Sequence, residues 1–139
     1  VQPTLDRINE IVTTTNTTDF VVHSYCRDTL LLTGSFDHSY YHELEIHFHA
    51  VSYIGLPIYN LDSPHISVAT EAERKHYAHL ELDNSDMLFT IHNDPDFRGG
   101  HRYCVAAERI EIVEGMVFYY VRENLKPGER IADWVKREG

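Results

Sequence analysis

Residues 36–57, F-D-H-S-Y-Y-H-E-L-E-I-H-F-H-A-V-S-Y-I-G-L-P, constrain this chain more than any other stretch. Their middle alternates strictly: Leu44, Ile46 and Phe48 interleave with Glu43, Glu45, His47 and His49. Side chains of a β-strand point to opposite faces in turn, so this pattern predicts a strand with an apolar row on a core. The carboxylate and imidazole row takes the other face, which alternation alone assigns to water. Beyond Ala50 the apolar residues move from even to odd positions, through Val51 and Tyr53, and such a switch marks a β-bulge or the start of a new strand.

The rest of the chain supplies partners for that strand. Pro3, Leu5, Ile8, Ile11 and Val12 have helical spacing with proline in the first turn, and the threonine-rich tract 13–18 ends the helix. Segments 20–26 and 29–36 read as a hairpin turning at Arg27-Asp28. Thr70 and Glu73 fit a capping box opening a short helix to about His79, followed by a strand at 87–92. Segments 103–113 and 116–121 read as a second hairpin turning at Glu114-Gly115, with a polar loop at 93–100 before it. Ile131, Trp134 and Val135 sit at i, i+3, i+4 and predict a short C-terminal helix.

The expected fold is therefore α+β in one domain, 1–139. It has a mainly antiparallel, curved sheet of about six strands, able to close as a barrel, with N-terminal, middle and C-terminal helices. Leu30, Leu32, Leu44, Ile46, Phe48, Phe89, Ile91, Ile110, Ile112 and Phe118 are the expected core.

With 22 acidic and 12 basic residues the net charge is −10. That balance puts a bare nucleic-acid binder, which must neutralise phosphates, at a disadvantage and suits solubility or a basic protein partner. Two cysteines, Cys26 and Cys104, form no disulfide framework, and their apolar or aromatic neighbours predict buried thiols. No apolar run reaches the length of a membrane span. No basic-then-apolar leader opens the chain, which begins at Val1 rather than Met, and the expected location is the cytoplasm.

The chemistry concentrates at His47-Phe48-His49. Two histidines one residue apart on a strand point the same way, roughly 6.5–7 Å apart, so both can reach one divalent metal such as zinc. Glu45 is next on that face, and His92 or His101 from elsewhere would complete the shell. The His-x-His spacing resembles the first cupin motif, but the following glutamate and the downstream Pro-x-Gly-x-x-His are missing, so the resemblance ends at the two histidines. His42 and His47 flank a sequence one residue longer than the zinc-protease motif, and on a strand that motif does not apply. Tyr40, Tyr41, Tyr53, Tyr59, Tyr119 and Tyr120 suit either an amphipathic pocket or ordinary sheet packing.

No nucleophile, phosphate loop or paired carboxylate emerges from spacing. The reading is a small acidic binding or interaction module, not an enzyme, with no cofactor expected. It would associate with itself, or block a basic partner as toxin-immunity proteins do; that analogy is one of charge and size. The alternative is a metal-binding protein or metal-dependent enzyme on the His47/His49 face.

Overall fold

The computed structural model describes residues 1–82, 85–94 and 102–136. A 13-residue helix, α1 (Gln2–Thr14), leads into a curled, mostly antiparallel sheet forming a half-barrel. Its strands are β1 (Asp19–Cys26), β2 (Thr29–Ser35), β3 (Tyr41–Gly55), β4 (Leu61–Asp62), β5 (His65–Val68), β6 (Met87–His92), β7 (Arg102–Phe118) and β8 (Arg130–Ile131). The spatial order is β4-β1-β2-β3-β7-β6-β5, and β8 pairs with β7 in parallel. A second helix, α2 (Glu71–His76), stands between β5 and β6, followed by a 3₁₀ turn at Ala78–Leu80. The architecture is α+β as expected, with eight strands among the described residues rather than about six.

Two local readings hold because their chemistry is short-range. Arg27 and Asp28 adopt φ of 51° and 65°, the paired left-handed conformation that matches the twist of a two-residue hairpin. Thr70 accepts from the Glu73 amide while the Glu73 carboxylate accepts from the Thr70 amide, closing the capping box of α2. The parity switch after Ala50 is a bulge within a continuous strand. Ala50 has φ of 53°, and the β3/β7 register shifts between Val51 and Tyr53.

The apolar row behaves as alternation requires. Leu44, Ile46 and Phe48 are fully buried with Leu30, Leu32, Phe20, Phe89, Ile91 and Ile110, and α1 closes this core with Leu5, Ile8, Ile11 and Val12. Ile112 is half-buried against the same cluster. Asn9 fixes α1 to β5 by bonding both the carbonyl (2.9 Å) and the amide (3.0 Å) of Ile66. Gly34 makes room for the Phe20 ring; a Cβ there would lie 2.4 Å from a ring carbon. The opposite face carries a smaller cluster of Ala69, Leu88, Cys104 and Ala106, packed with Tyr53, Tyr77 and Leu82.

Four expectations are corrected. The predicted hairpin at Glu114-Gly115 is absent, because β7 runs straight through it as one 17-residue strand. Gly115, at φ of 145°, absorbs an irregularity instead of reversing the chain. Among the described residues the predicted C-terminal helix is also absent: Arg130 and Ile131 pair with Val117 and Phe118, and one turn, Val135 N–H to the Ala132 carbonyl, follows. A few residues of helical spacing do not repay helix nucleation when a strand edge is open beside them. Cys26, at the end of β1, is exposed, whereas Cys104 is buried as expected. Finally, Glu45 is buried at 7% exposure, so the polar row is not a solvated face. Among the described residues, no helix is long and apolar enough to cross a membrane.

Candidate functional site

Over the polar face at Glu45 lie Tyr119 and residues 130–134, from the segment that returns after β7. Backbone contacts hold this segment in place: Tyr119 N–H donates to the Tyr40 carbonyl (2.8 Å), Ala132 N–H donates to the Phe118 carbonyl (2.9 Å), and β8 pairs with β7. Beneath it lies a cavity of about 260 Å³ lined by His23, Leu31, His42, Glu45, Val117, Arg130, Ala132, Asp133 and Trp134.

Glu45 is the centre of this site. Its Oε2 accepts from His42 Nε2 at 2.8 Å and from the Arg130 guanidinium; its Oε1 accepts from His47 Nε2 at 2.9 Å. These partners, with the His42 bond foremost, hold its carboxyl at about 2 against the opposing effect of burial. His42 is itself buried, and its Nδ1 lies 2.6 Å from the Tyr119 hydroxyl. Burial raises the Tyr119 pKa above its usual value, and the Glu45 charge adds to that.

A break in register delivers His42 to this face. Between the pairs Leu44/Glu114 and His42/Val117, β3 advances 44 − 42 = 2 residues and β7 advances 117 − 114 = 3. Across the break the alternation reverses. His42 joins Glu45, whereas Glu43 turns to the α1 side and accepts from the Thr17 hydroxyl. The expectation that Glu43 shares a face with Glu45 is corrected accordingly. Nothing in the local sequence announces this register shift.

No family model, curated protein or solved structure matches this chain.

The residues expected to hold a metal are brought together only in part. His47 and His49 do lie side by side, with rings nearly parallel (14°) and 6.1 Å apart. His47 Nε2, however, is bonded to Glu45, and His49 Nε2 faces Glu111 Oε2 at 3.3 Å without hydrogen-bond alignment. His92 sits on β6 with β7 between it and β3, beside Glu73 and Arg102. Its β7 partner, Arg102, is nine residues from Glu111, the partner of His47, or roughly 30 Å along a strand. His101 lies outside the described residues, as does part of the expected polar loop, residues 95–100. Among the described residues, no three His, Cys, Asp or Glu side chains converge as a metal site.

His23, Arg130, Asp133 and Trp134 were not read as site residues from the sequence. Trp134 stood out only as part of an apolar helical stripe. Arg130 and His23 carried no local signal, since their partners lie on distant elements.

Proposed function

We propose that this protein is a binding module whose ligand site is the cavity under residues 119–136. One observation carries the reading: Glu45, the acid at the cavity floor, is saturated by His42, His47 and Arg130. A general base must have a pKa near working pH, and a carboxyl held at about 2 by three partners does not. The same saturation suits binding, because polar groups fixed in advance cost little to order when a ligand arrives. Leu31, Val117 and Ala132 supply apolar wall, and the volume falls below the ~300–1,000 Å³ typical of drug-sized pockets, favouring a ligand of few heavy atoms. The net charge of −10 favours ligands and partners carrying positive charge.

The chain has one tryptophan, Trp134, and it lines the cavity. Its emission therefore reports occupancy. A fragment library screened against the purified protein is expected to give compounds that shift both Trp134 emission and Tm. Ala132→Leu, which fills the cavity from a buried wall position, should abolish both effects. A library that moves neither signal, or compounds that bind the Ala132→Leu variant unchanged, would refute the assignment.

A further inference from the structure

Four rings contact one another in a closed circuit, and three of them line this cavity. Centre to centre, His23 and Trp134 lie 5.2 Å apart, Trp134 and Tyr119 5.1 Å, Tyr119 and His42 5.5 Å, and His42 and His23 6.3 Å. All four contacts are tilted, at 32° to 56°, so none of the pairs stacks flat. His23, His42 and Trp134 line the cavity itself, and Tyr119 backs His42.

The charges around these rings are unequal. Glu45 and Asp133 oppose one guanidinium, Arg130, which is already bound to Glu45. Asp133 is exposed at the mouth beside Trp134 and makes no hydrogen bond or ion pair with any described residue. Burial, and then the nearby His42, lower the pKa of His23, so at neutral pH its ring offers a π face rather than a positive charge. An aromatic face attracts a cation within about 6 Å of its centroid, and the attraction strengthens as water is removed. An anion entering here would meet Glu45 and Asp133, and a neutral guest would gain nothing from either.

We propose that the cavity binds a small organic cation, with a substituted ammonium group seated among His23, His42 and Trp134 and Asp133 closing over it. This inference rests on the cavity being a ligand site and adds the class of ligand. Arg130 stays on Glu45 and leaves Asp133 as the free counter-charge.

Three probes of nearly one shape separate charge from fit: choline, its neutral carbon isostere 3,3-dimethylbutan-1-ol, and the anion 3,3-dimethylbutanoate. Binding is followed by calorimetry and by Trp134 emission at low salt. Choline is expected to bind at least about tenfold more tightly than the alcohol, with the carboxylate weakest. Asp133→Asn, a surface change that leaves the ring circuit intact, should weaken choline severalfold and leave the alcohol unaffected. Trp134→Leu should remove the choline preference in calorimetry. An alcohol or carboxylate that binds as tightly as choline would overturn the cation assignment while leaving the cavity a ligand site. If none of the three binds, the cation assignment also fails; the fragment screen then decides separately whether the cavity binds ligands at all.

Discussion

Replacing Glu45 with glutamine keeps the side-chain volume and removes the charge on which three donors converge. Holding this carboxyl at about 2 instead of 4.5 corresponds, at about 1.4 kcal/mol per pH unit, to roughly 3 kcal/mol of native-state stability. That lies at the low end of the roughly 3–5 kcal/mol lost when one partner of a buried ion pair is removed. The low end fits, because Arg130 is 48% exposed and partly screened. At about 2.1 cal/mol/K per residue, 139 residues give an unfolding entropy near 0.3 kcal/mol/K, so Glu45→Gln should lower Tm by about 10 °C at pH 7. The pH dependence follows from a folded pKa below the unfolded one. The stabilisation is complete above about pH 4.5 and is lost as pH falls towards 2, where folded Glu45 also takes up a proton. Differential scanning fluorimetry of both proteins from pH 7 to 2.5 should therefore show a gap that is wide at neutral pH and closes below pH 4.5. An unchanged Tm at pH 7, or a gap as wide at pH 2.5 as at pH 7, would refute the partnership assigned to Glu45.

Gly34→Ala places a methyl group 2.4 Å from a Phe20 ring carbon in a packed core, and chemical denaturation should show a loss of about 1–3 kcal/mol. Thr70→Ala removes the hydroxyl half of the α2 capping box and should cost about 1 kcal/mol, read by the same assay, with faster amide exchange at Glu73. His47 Nε2 is taken by Glu45, and no third ligand converges on His47 and His49 among the described residues, so zinc titration should leave Tm unchanged. A gain of about 2.7 kcal/mol at 100 times Kd, absent from a His47→Ala/His49→Ala double variant, would instead establish a metal site there.

Much of the sheet could be read from the sequence because its signals are local. Alternation at 44–48 fixed the core row, the Arg27-Asp28 pair fixed a hairpin, and Thr70 with Glu73 marked a helix start. The candidate site was legible in one residue pair and hidden in the rest. Alternation says which side chains share a face; it does not say what covers that face. The cover comes from Arg130, 85 residues after Glu45, so the polar row looked solvated. His42 was concealed by a register shift between β3 and β7 at which the alternation on β3 reverses. Glu114-Gly115 resembled a hairpin turn because glycine serves turns and strand irregularities alike, and only the pairing partner decides between them. Ile131, Trp134 and Val135 fit helical spacing, but three positions are too few to outweigh an available strand edge at Val117 and Phe118.

The central claim is that residues 119–136 close a ligand cavity over Glu45, with Trp134 at its edge. Trp134 provides the chain's only indole N–H, which gives a single resolved resonance in a ¹⁵N spectrum. Titrating choline into the labelled protein should move that resonance together with the imidazole signals of His23 and His42, all fitting one Kd, while Ala132→Leu suppresses the shifts. Choline shifts confined to residues remote from the cavity, with Trp134, His23 and His42 unmoved, would contradict the account.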